Sequence, residues 1–166
     1  EDPDLDATNP QLRVYIRSLM VGATSLITAF TYNGIGTDAP IMGICARDVG
    51  GSDDANFTGW GLRLLASPSN PMTFLSFKHY TSPTAIEATV SYMDGRQVYP
   101  QRMHWTKFSW EGNYKRWYYS ADGVTWIKWY EDTFTSYNTP SQFGVFIDPV
   151  NNNQKVSMSL VHWEEQ

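Results

Sequence analysis

From Gly22 onward the chain is cut into short runs of β-branched and aromatic residues, each closed by Gly, Pro, Asn or Asp. No stretch sustains the apolar period of an amphipathic helix with capping residues at its ends. A chain patterned in this way hides its apolar side chains by pairing strands, so the expected class is all-β, a two-sheet antiparallel sandwich. The expected strands are Ser25–Tyr32, Ile41–Arg47, Gly59–Leu65, Thr73–His79, Ala85–Met93, Gln97–Met103, Phe143–Asp148 and Lys155–Trp163, with a meander between Ala85 and Tyr130. In that meander Asp94-Gly95, Glu111-Gly112-Asn113 and Asp122-Gly123 supply the turns, because Asp-Gly readily adopts the positive φ values of tight hairpins.

Ahead of this pattern, residues 1–11 carry Asp2, Asp4 and Asp6 with Pro3 and Pro10 and read as an extended acidic arm; residues 12–166 read as one domain. Leu12, Val14 and Ile16 alternate with Arg13, Tyr15 and Arg17, which favours a strand over a short helix capped at Asn9-Pro10. At 166 residues a single core can bury roughly 70% of the unfolded surface without disulfide or metal. The single Cys45, within Ile41-Met42-Gly43-Ile44-Cys45-Ala46, is expected to be a small buried apolar side chain.

Charge excludes some partners. The net charge is -5 and the twelve Lys and Arg are scattered without a basic run, so nucleic acid has no electrostatic track to follow. No apolar stretch approaches the ~20 residues of a membrane span, and the opening Glu1-Asp2-Pro3 suggests a processed product or a module of something longer. Aromatics make up 15% of the chain against 17% charged residues, a balance that suits both a sandwich core and the stacking of sugar rings or partner side chains.

The run Ser120-Ala121-Asp122-Gly123-Val124-Thr125-Trp126, preceded by Trp117-Tyr118-Tyr119, resembles a hairpin of the concanavalin A-like lectin/glucanase domains. Ser25–Phe30, Met42–Asp48, Gln142–Phe146 and Ser157–Trp163 resemble other strands of that family in the same order, covering roughly Leu12 to Trp163. The resemblance implies a jelly roll, and it is greatest for versions found in structural proteins of tailed bacteriophages. A shared fold does not fix a shared function.

Glycosidases of this fold resemble one another in a Glu-x-Asp-x-Glu strand, and nothing here matches it; Glu131-Asp132 and Glu164-Glu165 are adjacent and would point to opposite faces. His79, His104 and His162 lie far apart without metal-ligand spacing, and Ser120 has no histidine base. Ser120 and Asp122 are instead expected to pin a turn. The loop Asp48–Asp54 offers oxygen ligands but lacks the spacing of an EF-hand, so a solvated loop is favoured over calcium. No catalytic residue, metal or cofactor is therefore expected.

The binding surface is sought on the meander. A two-residue Asp122-Gly123 turn would pair Tyr119 with Trp126 and Trp117 with Lys128, whereas a three-residue Ala121-Asp122-Gly123 turn would pair Trp126 with Tyr118. With a three-residue turn at Glu111-Gly112-Asn113, Trp105, Lys107, Lys115, Trp117, Tyr119, Trp126 and Lys128 share one face, and Phe108, Trp110, Tyr114, Arg116, Tyr118, Ile127 and Trp129 the other. Lysines are seldom buried, so the first face is expected to meet solvent or ligand, with Trp126 at its covered end. Trp105, Lys107, Trp117 and Lys128, with Trp60 from an adjoining Gly59-Trp60-Gly61 loop, form the expected glycan-binding set. The expected function is a non-catalytic carbohydrate-binding or adhesion module, extracellular or on a virion. The alternative is an assembly or decoration protein whose partners are other extracellular or virion proteins, or further copies of itself. A polysaccharide hydrolase with dispersed carboxylates is a third.

Overall fold

A computed structural model describes residues 13–18, 20–33, 41–47, 57–67, 70–82, 85–98, 103–133, 140–148 and 157–166, with residues 57–98 described as backbone. Within these the elements are all strands: β1 Arg13–Arg17, β2 Ser25–Asn33, β3 Ile41–Arg47, β4 Phe57–Ser67, β5 Asn70–Ser82, β6 Ala85–Val98, β7 His104–Glu111, β8 Tyr114–Ser120, β9 Ile127–Thr133, β10 Gln142–Asp148 and β11 Ser157–Glu165. They form two antiparallel sheets, sheet I in the order β1-β10-β3-β4-β5-β6 and sheet II in the order β11-β2-β7-β8-β9, packed as a jelly-roll sandwich. The acidic arm expected at residues 1–11 lies outside the described residues, and the strand reading of Val14 and Ile16 holds.

Alternation decides what lies between the sheets. Leu26 and Phe30 of β2, Met42, Ile44 and Ala46 of β3, Phe108 of β7, Trp117 and Tyr119 of β8, Trp129 of β9, and Phe143 and Ile147 of β10 make one buried cluster. Aromatic contacts tie the layers together: Trp110 of sheet II stacks on Phe143 of sheet I at 4.4 Å, and Phe108 lies 5.1 Å from the same ring. The centre of sheet I is buried on both faces, since Ile41, Cys45, Phe146 and Asp148 point away from this core and are each no more than 1% exposed. Cys45 is thus the packed residue expected, and burial pushes its thiol pKa well up. Beside it Gly144 admits β1, for a Cβ there would overlap the Tyr15 carbonyl.

Two local expectations are corrected. Asp94-Gly95 does not turn the chain: β6 runs through it, with Leu75 opposite Asp94 and Phe74 opposite Gln97, so the extra residues are absorbed as an irregularity in the ladder. Gln97 and Val98, expected to open a separate strand over Gln97–Met103, belong to β6, residues 99–102 lie outside the described residues, and among the described residues the meander in sheet II consists of β7, β8 and β9. Gly59-Trp60-Gly61 is not a loop but the middle of β4, paired with Gly43–Cys45 and Phe77 in the interior of sheet I.

Candidate functional site

The outer face of sheet II is set by the turn between β7 and β8. Gly112 takes φ +59°, and Glu111 pairs with Tyr114 across a two-residue Gly112-Asn113 turn. This is one residue shorter than expected, and a slip of one residue moves every side chain to the opposite face. The observed pairs are Trp105 with Ser120, Lys107 with Tyr118, Phe108 with Trp117 and Trp110 with Lys115. Trp117 is consequently in the core at 2% exposure, against Phe108 at 4.7 Å, and cannot serve as a stacking face. Lys115, expected in solvent, is buried too, and burial lowers its pKa to about 8 despite the Asp132 carboxylate across the strand. Tyr119, from the same expected face, lies in the core, and burial raises its pKa to about 12.

Neither turn expected between β8 and β9 forms. Tyr119 pairs with Ile127, so a longer loop intervenes and Trp126 lies in it, half-buried. Ser120 and Asp122 do pin this loop. Ser120 Oγ accepts from the Gly123 amide at 2.9 Å, and Asp122 Oδ1 accepts from Val124 and Thr125 amides at 2.8 and 2.7 Å. Those amide donors, Thr125 foremost, hold the Asp122 carboxyl far below its ordinary range. Gly123 at φ +77° has no room for a side chain, because a Cβ would sit 2.8 Å from the Trp105 ring. The loop is thereby the seat of Trp105.

Three of the expected residues do share the outer face of sheet II. Trp105 and Lys107 are half-buried there, and Lys128 is exposed beside Tyr118. Lys128 Nζ donates to Glu131 at 3.2 Å, and Glu131 also accepts from Arg116 Nε at 2.5 Å. Trp60 belongs to the other sheet and does not join them. The neighbours that complete the surface come from β11 and were not foreseen: His162 and Glu164. A bulge at Val161 shifts the register, so that Leu160 pairs with Phe30 but His162 pairs with Ala29 and Glu164 with Ile27. That shift turns His162 and Glu164 outward and Trp163 and Glu165 inward. One signal was present in the sequence, for the spacing of the inward side chains steps by two from Met158 to Leu160 and then by three to Trp163.

Two rows cross the sheet, His162–Ala29–Trp105–Ser120 and Glu164–Ile27–Lys107–Tyr118–Lys128. Between the long side chains of β11 and β7 the β2 residues are covered, Ala29 at 0% and Ile27 at 7% exposure. The His162 and Trp105 rings lie 5.1 Å apart over Ala29. Glu164 Oε2 lies 3.1 Å from His162 Nε2, and Oε1 accepts from Gln166 Nε2 at 2.7 Å. The Gln166 and His162 contacts, with the Lys107 charge, pull the Glu164 carboxyl pKa down. An aromatic face beside a fixed acceptor and ammonium donors is what a pyranose ring uses, with its C–H face on the indole and its hydroxyls in the hydrogen bonds.

At the inter-sheet seam a second feature lies between edge strands β1 and β11. Glu165 joins them, accepting from Arg17, from the Met20 amide at 2.7 Å and from the Trp163 indole at 2.8 Å. Beside this latch an apolar cleft of about 470 Å³ opens, lined by Val14, Tyr15, Val145, Ile147, Ser157, Met158 and Leu160. Among the described residues no group of three His, Cys, Asp or Glu side chains converges on a metal position, and no helix is long and apolar enough to cross a membrane. The loop Asp48–Asp54 lies outside the described residues.

No family model matches the chain, and no curated protein matches it. Solved structures do share its fold. The xylan beta-1,4-xylosidase of Bacillus halodurans C-125 superposes with a TM-score of 0.62 at 9% identity, over 92% of this chain and 29% of that one. A tetrameric galectin from the ball sponge Cinachyrella superposes with a TM-score of 0.55 at 6% identity, over 92% and 99%. A CBM2 carbohydrate-binding module from the evolved Dit of Lactobacillus casei BL23 phage J-1 gives 0.51 at 8% identity, over 84% and 60%. The chain thus spans less than a third of the xylosidase and 60% of the phage module. At these identities the likeness is one of fold, a two-sheet antiparallel jelly-roll sandwich.

Proposed function

We propose that this chain is a non-catalytic carbohydrate-binding or adhesion module that engages cell-surface glycan outside the cytoplasm, as part of a virion or an extracellular assembly. The observation that carries the reading is the Trp105–His162 pair on the outer face of sheet II, with Lys107, Tyr118 and Glu164 in the adjoining row. A half-exposed indole seated on a pinned loop loses little conformational freedom on binding, which is how a shallow site gains affinity. The galectin and the phage CBM2 module supply the same scaffold in proteins whose names specify or imply carbohydrate binding.

The non-catalytic part of this reading rests on the sequence, which carries no Glu-x-Asp-x-Glu strand to set a nucleophile and a general acid on one face.

A second reading, an assembly or decoration protein, is favoured by the seam between β1 and β11. Its cleft carries Tyr15 at 59% and Leu160 at 39% exposure, with Val161 at 58% on the same edge. A glycan array read together with size in solution separates the two. Saccharide binding by the monomer, lost on Trp105→Ala, supports the first; self-association without saccharide binding supports the second and refutes the first.

A further inference from the structure

We infer that Glu164 makes this surface selective for uncharged saccharides, accepting a hydrogen bond from a hydroxyl at one position of the sugar while Lys107 donates to the adjacent oxygen. The inference rests on the glycan-binding reading above and goes further by naming the ligand class and the residue that sets it.

The first ground is orientation. The Val161 bulge delivers Glu164 to the outer face, and its two oxygens are held from different sides by His162 Nε2 and Gln166 Nε2 at 3.1 and 2.7 Å. The carboxylate remains 45% exposed, so it is steered without being enclosed, and each oxygen retains acceptor capacity toward solvent. A carboxylate fixed in this manner accepts from a hydroxyl without first giving up its own ordering entropy.

Charge is the second ground. The lysines and arginines described on this face already stand beside carboxylates: Arg116 with Glu131 and Glu111, Lys128 with Glu131, and Lys107 near Glu164, whose Oε2 also lies 3.1 Å from His162 Nε2. A sugar carboxylate or sulfate would have to displace one of these pairings and lie against Glu164, an ionised group that cannot donate to it. Hydroxyls meet neither obstacle, since they both donate and accept. The overall charge of -5 adds a weaker, longer-range bias in the same direction.

The test is an array of matched saccharides probed with the full chain: galactose against galacturonate ends, glucose against glucuronate ends, and lactose against sialyl-lactose. Neutral members should bind, and their acidic counterparts should bind at least about tenfold more weakly. Glu164→Gln, checked by an unchanged melting curve, should weaken the neutral ligands about tenfold and shrink the gap between the pairs. Acidic members binding as well as neutral ones, or Glu164→Gln leaving both unchanged, overturns the inference. If those results come with binding that Trp105→Ala abolishes, the site stands and only its selectivity is refuted. If no saccharide binds, the glycan-binding reading falls and takes the selectivity with it.

Discussion

Lys115→Met should raise stability at neutral pH, because the wild-type protein holds an ammonium group between its sheets. Lys115 is 2% exposed, and its pKa is lowered from 10.5 to about 8 by burial, with Asp132 opposing the shift. That difference corresponds to roughly 3 kcal/mol by which folding disfavours the charged form, at about 1.4 kcal/mol per pH unit. Partial solvent screening at the strand end, and an Asp132 deprived of its counter-charge, reduce the expected gain to about 1–2 kcal/mol. In a domain of this size that is a rise in Tm of roughly 3–6 °C. The sign with pH is independent of the mutant. Between pH 8 and about 10 the unfolded chain keeps the Lys115 proton while the folded protein has released it, so stability rises with pH across that window. Above pH 10 Tyr119 works the other way, since its folded pKa of about 12 means that the unfolded chain ionises first. Urea titrations of both proteins at pH 7.5 and 9.5 provide the assay. Wild type should gain stability between the two values and Lys115→Met should gain markedly less. A variant less stable than wild type at pH 7.5, with a flat wild-type profile, would show that Lys115 is well solvated or fully compensated and would refute the argument.

Gly123→Ala should cost about 2–3 kcal/mol in denaturant unfolding, whereas Gly112→Ala should cost about 1. Both glycines have positive φ, but only at Gly123 does a Cβ meet the Trp105 ring; equal losses would mean that the indole does not rest on the loop. Trp117→Ala should destabilise by about 3–5 kcal/mol, the cost of emptying a core site, while Trp105→Ala should cost clearly less by the same measurement. A mild Trp117 variant that lost ligand binding would restore that residue to the surface.

The period of the side chains made much of the fold legible. Strands β2, β3, β10 and β11 fall within a few residues of their expected bounds, and Ser120 with Asp122 pins a turn as their spacing implied. What the sequence left open was register. Gly112 and Asn113 turn the chain in two residues where Glu111-Gly112-Asn113 suggested three, and that single step exchanged Trp117 and Lys115 with Tyr118 and Arg116 between core and surface. The rule that lysines avoid the interior then reinforced the error, because Lys115 is an exception to it. Asp94-Gly95 shows the converse, a strong turn signal overridden because β6 continues its pairing with β5 across it. Half of the candidate site, His162 and Glu164, depends on a one-residue bulge whose trace in the sequence is only the uneven step from Leu160 to Trp163.

A saccharide on the outer face of sheet II should be visible in an amide and indole NMR titration of the full chain with whichever neutral oligosaccharide binds best on the array. The largest shifts are expected at the Trp105 indole and at the amides of Lys107, Tyr118, His162 and Glu164, with β3 and β10 of sheet I little changed. Shifts centred instead on Val14, Tyr15, Met158 and Leu160, at the seam, or confined to sheet I, would show that the saccharide does not bind there.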